Sequence, residues 1–92
     1  GVDDAAEVHP GAMVRRSVIG PGAVVAEGAR VCDSVVMAGS NIGEGAVVDG
    51  SLVGRNATVG RDAQVLGLSV VGHGAEVVAG EHLAGDCRPE QD

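Results

Sequence analysis

The 92-residue sequence contains no phenylalanine, tyrosine or tryptophan. A globular core normally relies on large side chains to fill its volume. A chain this short has little interior in any case, so a thin, repetitive core is expected. Lysine is also missing. The six basic residues are all arginine, set against 13 acidic ones for a net charge of −7, and only Arg15 and Arg16 adjoin. A nucleic-acid groove wants a basic face with stacking aromatics, and a polybasic membrane anchor wants clustered cations. Neither is present. No apolar run reaches the length of a transmembrane helix or a signal sequence. Cysteine is scarce: Cys32 and Cys87 lie far apart and suit free thiols of a cytoplasmic protein. The chain does not open on methionine, and it reads as a fragment or a processed product.

What the sequence does have is a period. Units of the form aliphatic-x-x-Gly-Ala-x begin at Val2, Val8, Ile19, Val25, Val36, Ile42, Val53, Val59, Val71, Val77 and Leu83. Their fourth positions are Ala5, Gly11, Gly22, Gly28, Gly39, Gly45, Asn56, Asp62, Gly74, Gly80 and Asp86. After Ala5 these are the residue types that best tolerate a left-handed backbone, so a corner is expected at each. The fifth position is small, as in Ala23, Ala29, Ser40 and Ala46. Shorter pieces run from Val14, Val31, Val48 and Val65 to a serine. Two sixes and a five make 17 residues, and the last full turn has 18. Neither a helix nor a lone strand has this period. A three-sided coil does, and it sorts the aliphatics into three columns: Val2, Ile19, Val36, Val53, Val71; Val8, Val25, Ile42, Val59, Val77; and Val14, Val31, Val48, Val65, Leu83. The reading is an all-β solenoid of about five three-sided turns, stacked as parallel strands. At the corners, Gly45→Val is expected to cost about 1–3 kcal/mol, because a β-branched residue resists positive φ.

This pattern resembles the hexapeptide-repeat proteins, which fold as left-handed parallel β-helices. The resemblance covers essentially the whole chain and supplies the handedness; parallel crossovers are ordinarily right-handed. Such scaffolds carry several functions. Acyltransferases of this kind are trimers with a catalytic histidine and a protruding loop, whereas the coils here run without insertion. Carbonic-anhydrase-like members bind a metal through three histidines on neighbouring coils. His9, His73 and His82 are the available imidazoles. The nine-residue step from His73 to His82 puts them on different sides of the prism, so all three read as solvent-facing. Ice-binding solenoids need threonine ladders, and Thr58 stands alone.

The run from Arg15 to Gly60, with its recurring Ser17-Val18-Ile19, Ser34-Val35-Val36 and Ser51-Leu52-Val53, continued by Ser69-Val70-Val71, resembles the C-terminal module of the sugar-1-phosphate nucleotidyltransferases. Mannose-1-phosphate guanylyltransferases are the most similar, with thymidylyl- and adenylyltransferases of glucose 1-phosphate close behind. The resemblance implies that catalysis, Mg and the NTP belong to a separate N-terminal domain, and that this module serves oligomerisation or regulation. "GPGAVVAEG" is corner chemistry, since a phosphate loop needs a following helix. No catalytic, cofactor-binding or metal-binding residue is assigned within the 92. The expected partners are the protein's own catalytic domain and further copies of itself, with no nucleic acid and no membrane. The isolated chain is expected to lack transferase, acyltransferase and hydratase activity.

A few positions stand out individually. Arg15 and Arg16 offer a grip for phosphate or an acidic surface, with a solvated corner as the plainer reading. Met37 and Ala38 replace the glycine pattern and suggest a small apolar patch. Nothing beside Cys32 would activate its thiol. The β-helix is expected over residues 1–88, with a tail over 89–92. "GDCRPEQD" departs from the repeat as an end cap or disorder. "GVDDAAE" fits the repeat without a cap, which suggests that a preceding coil, a linker or the catalytic domain stacks on it.

Overall fold

The computed structural model describes residues 1–90. Gln91 and Asp92 of the expected tail lie outside the described residues. Fifteen strands of two or three residues form three five-stranded sheets. The first holds β1 (Glu7–Val8), β4 (Val24–Val25), β7 (Asn41–Ile42), β10 (Thr58–Val59) and β13 (Glu76–Val77). The second holds β2 (Met13–Arg15), β5 (Arg30–Cys32), β8 (Val47–Asp49), β11 (Gln64–Leu66) and β14 (His82–Ala84). The third holds β3 (Val18–Ile19), β6 (Val35–Val36), β9 (Leu52–Val53), β12 (Val70–Val71) and β15 (Cys87–Arg88). Each strand pairs in parallel with its counterpart one turn away. The chain is an all-β, left-handed parallel β-helix of about five turns, with a Cα envelope of 37 × 20 × 20 Å.

The three columns are the interior. Ile19, Val25, Val31, Val36, Ile42, Val48, Val53, Val59, Val65, Val71 and Val77 are sealed from solvent. Ala23, Ala29, Ala46, Ala57 and Ala63 close the corners between them. A valine is stiff, broad at Cβ and short, so it fills a narrow interior between parallel strands with little entropy to lose. Each one buried contributes about 1.5–3 kcal/mol. Val2 is 47% exposed, bridging to Ile19, and Val8 and Val14 are half-buried.

The corners divide into two kinds. Gly22, Gly28, Gly39, Gly45, Asn56, Asp62, Gly74 and Gly80 all have φ between 56° and 75°, as their place in the repeat requires. Gly11 and Asp86 do not adopt that conformation. The Gly11 N–H is held instead by His9 Nδ1 at 2.9 Å. Asp86 stands one register later than its sixfold reading, at the serine position of the short side, where its N–H meets Ser69 Oγ at 3.1 Å. The second kind of corner closes the short sides, at Arg16, Asp33, Gly50, Gly67–Leu68 and Gly85, with φ from 48° to 69°. The 18-residue turn thus takes its extra residue as a second left-handed position, and Leu68 projects there 84% exposed.

Those short sides are tied together by a ladder of serines. Ser17 Oγ donates to the Arg15 carbonyl (2.8 Å) and accepts the Ser34 N–H (3.1 Å). Ser34 does the same between Cys32 and Ser51. Ser51 links Asp49 to Ser69, and Ser69 links Leu66 to Asp86. Each hydroxyl satisfies a backbone N–H in the next turn that would otherwise be buried without a partner. Ser51→Ala should therefore cost about 1–3 kcal/mol, more than removing an ordinary exposed hydroxyl. Chemical denaturation checks this; a loss no larger than that of Thr58→Ala would refute the ladder's role.

The coil continues through the first residues of the stretch that begins at Gly85, where the composition shifts. Cys87 and Arg88 pair with Val70 and Val71. Arg88 occupies the next register position of the first column, and its guanidinium makes a two-pronged ion pair with Glu81.

Candidate functional site

The histidines do not converge. His9 follows β1, His73 sits at the corner between β12 and β13, and His82 lies in β14; all three are exposed. His73 Nδ1 accepts the Arg55 N–H of the turn below at 2.8 Å, and His9 Nδ1 accepts that of Gly11. Each of these two imidazoles braces a corner. Among the described residues no three of His, Cys, Asp and Glu come together to hold a metal ion. A surface hollow of about 620 Å³ brings His9 near Glu7, Glu27 and Glu44, and Arg61 already pairs with Glu44 at 3.2 Å.

Arg15 and Arg16 part company. Arg15 ends β2 and is exposed. Arg16 Nε reaches Asp33 Oδ1 at 2.6 Å and its Nη2 reaches Asp33 Oδ2 at 3.1 Å, one turn up. This fork occupies the guanidinium that the sequence offered to a phosphate. The hydrogen bond from Arg16, and then its charge, hold the Asp33 carboxyl below its ordinary range. Arg88 does the same to Glu81. Both folded-state values are lowered, so both pairs stabilise the coil above the unfolded carboxylate pKa, near 4. That contribution disappears as pH falls through the folded values. The melting temperature should drop in acid, and Glu81→Gln should flatten the part of that slope due to the C-terminal pair. An unchanged slope would mean that the pair does not contribute.

The outer faces differ sharply. On the first sheet Glu7, Val24, Asn41, Thr58 and Glu76 align, and on the second Arg15, Cys32 and Asp49 align. The third sheet carries Val18, Val35, Leu52 and Val70 in one register row, 50%, 38%, 38% and 42% exposed. Just beyond the strands come Gly20, Met37, Gly54 and Gly72. The row itself is uncharged; Asp33 stands at its edge and Arg88 ends the last strand of the sheet. The patch expected at Met37 and Ala38 is thus the margin of a larger apolar surface, with both residues only half-buried. A hollow of about 250 Å³ on this face is lined by Val35, Leu52, Leu68 and Val70, with Asp33 at its edge. The signal was present in the second residue of each Ser-aliphatic-aliphatic triplet, whose side chain must point outward when the third points in. Cys32 is half-buried and Cys87 exposed, both as free thiols.

The described residues contain no helix long and apolar enough to cross a membrane. The family model of the GMPPB C-terminal domain matches residues 1–87. No curated protein sequence matched the chain. Among solved structures, the acetyltransferase domain of PglB from Neisseria gonorrhoeae, in complex with acetyl coenzyme A, is similar at 20% identity with a TM-score of 0.50. The match covers 94% of this chain and 52% of that one. PerB from Caulobacter crescentus, in complex with CoA and GDP-perosamine, is similar at 22% identity with a TM-score of 0.49, covering 98% of this chain and 55% of that one. The chain therefore spans about half the length of these structures, and likeness at such identity speaks for the fold alone. With the β-helix in place and the family model spanning nearly all of it, the chain belongs to the GMPPB C-terminal domain family.

Proposed function

We propose that this β-helix is the C-terminal module of a sugar-1-phosphate nucleotidyltransferase, with mannose 1-phosphate and GTP as the favoured substrates and GDP-mannose as the product. The single observation that carries this reading is the family match over residues 1–87. In this reading the transfer chemistry, with its Mg and NTP, resides in an N-terminal domain of the same cytoplasmic polypeptide. The present module contributes assembly and regulation. Its surface is consistent with that division of labour. The coil carries exposed, unconverged histidines and an arginine already committed to Asp33, while one face is left apolar.

The experiment is an assay of pyrophosphate release from GTP and mannose 1-phosphate, run on the full polypeptide and on the 92-residue chain. Turnover by the first and none by the second is the expected result. Turnover by the 92 residues alone, abolished by His73→Ala, would overturn the reading in favour of a catalytic solenoid. Acetyl transfer from acetyl coenzyme A by the same chain would point to an acyltransferase-like trimer instead.

A further inference from the structure

The top turn is built as a stop, and we propose that Glu81, Asp86, Arg88 and Pro89 together bar a second copy of this chain from stacking head to tail on the end that carries β13, β14 and β15. This goes beyond the proposed function and does not depend on it. A parallel ladder makes the two ends of a coil complementary. In each turn, N–H groups donate upward to carbonyls of the next, as Gly60 does to Val77 at 2.7 Å and Gly72 to Arg88 at 2.6 Å. The top turn therefore faces outward with donors, and the first turn with carbonyls that could receive them. A copy set on top would continue the columns, its Val2 falling above Arg88. Such a contact does not close on itself and grows into a filament. Unpaired strand edges invite this unless they are blunted.

The blunting falls on all three sheets. Beside β13, Val78 stands one turn above Gly60 and gives its N–H to Glu81 Oε1 at 3.1 Å. In β14, Ala84 stands above Leu66 and gives its N–H to Asp86 Oδ2 at 2.9 Å. Beside β15, Pro89 stands above Gly72 and has no N–H to give.

The interior is shut as well. Arg88 holds the place of the next aliphatic in the first column, on the third sheet. Glu81 sits at the corner between the first and second sheets, opposite it. Their ion pair therefore crosses the end of the prism from one side to the facing corner, the two side chains 29% and 24% exposed. The last members of the other columns, Val77 and Leu83, are sealed at 0% and 4%. At the opposite end Val2 is 47% exposed, and Val8 and Val14 are half-buried. A pair this exposed adds only modest stability. Its larger effect is to set two charges where a stacking coil needs an apolar layer, and covering them carries a desolvation penalty.

The test is sedimentation of the 92-residue chain over a concentration series, with circular dichroism and electron microscopy on every variant. The mass of the parent should level off. The triple variant Glu81→Ala, Arg88→Val, Pro89→Ala frees two donors and restores the column. Its mass should rise several-fold above the parent's without levelling, as filaments about as wide as the coil, 20 Å. Arg88→Val alone should do the same more weakly, and it decides the question should the triple variant fail to fold. Adding Val2→Glu puts a charge on the opposite end and should return the mass to the parent's plateau, which it would not do for aggregates of misfolded chain. Exchanging the pair, Glu81→Arg with Arg88→Glu, rebuilds the strut and should leave a plateau. A folded triple variant whose mass levels off with the parent's overturns the proposal. So does open-ended growth of the parent, or growth that Val2→Glu leaves untouched. Failure of the full polypeptide to transfer nucleotide would sink the proposed function and leave this stop standing.

Discussion

Replacing Gly60 by valine should lower the stability of the coil by about 3 kcal/mol or more. For a domain of this size that is a fall in melting temperature on the order of 15 °C. Gly60 is not a corner residue, and its φ is unexceptional. The constraint is proximity. A Cβ at this position would lie 2.5 Å from the Ala79 backbone nitrogen and 2.8 Å from the Val78 carbonyl carbon. These are main-chain atoms of the next turn, already fixed by the bond from the Gly60 N–H to the Val77 carbonyl at 2.7 Å. They cannot swing aside as a side chain can, so the turns must separate locally and lose parallel bonds. Gly60→Ala tests the same contact with a single methyl. A melting curve superimposable on that of the parent would show that the turns have slack. At the corners, Gly45→Val should cost the smaller expected amount of about 1–3 kcal/mol, since φ of 70° is the main obstacle there.

Ile42→Ala should be comparably damaging, at about 2–5 kcal/mol. With Ile19, it is the largest side chain buried at 1% exposure, and it sits in the middle turn. The interior is built of valines and alanines attached to strands two or three residues long. No long side chain lies nearby to swing into the space. The surrounding backbone is held on both sides by ladder bonds, so collapse of the cavity is poor. Ile42→Val removes one methylene and should cost only about 0.5–1.5 kcal/mol. Equal losses for the two variants would mean that packing at this layer is loose. In a solenoid each turn touches only its neighbours, so the lesion should also be legible by hydrogen exchange. Protection should fall first around Val25 and Val59, the partners of Ile42 in the same sheet.

The interior was legible in the sequence because burial imposes one requirement at a fixed spacing. Every column position from Ile19 to Leu83 had to be aliphatic, and none is occupied otherwise. The corners of the sixfold units were legible for the same reason, except at Gly11 and Asp86. There a local side-chain bond and a register shift replaced the repeat rule. The short-side corners were not legible. Arg16 and Leu68 carry no signature of a left-handed conformation, and only their place in the stack imposes it. Gly20, Gly43, Gly54 and Gly60 were hidden similarly, since their need for glycine comes from backbone one turn away. The outward row of the third sheet follows no rule of burial. Its trace was the second residue of each Ser-aliphatic-aliphatic triplet, and register places Val18, Val35, Leu52 and Val70 side by side.

The serine ladder has one more consequence. Each rung joins residues 17 apart, or 18 at the last full turn, and every rung presents the same hydroxyl acceptor to the N–H of the storey above. Any rung can therefore be joined to any other. Excising residues 34–50 would connect Asp33 directly to Ser51, bring Ser51 above Ser17, and restore all three columns one layer shorter. The module behaves as a ruler graduated in whole coils. Its length can change by about 4.8 Å at a time without a new core, and a gene encoding it can grow or shrink by duplicating one graduation.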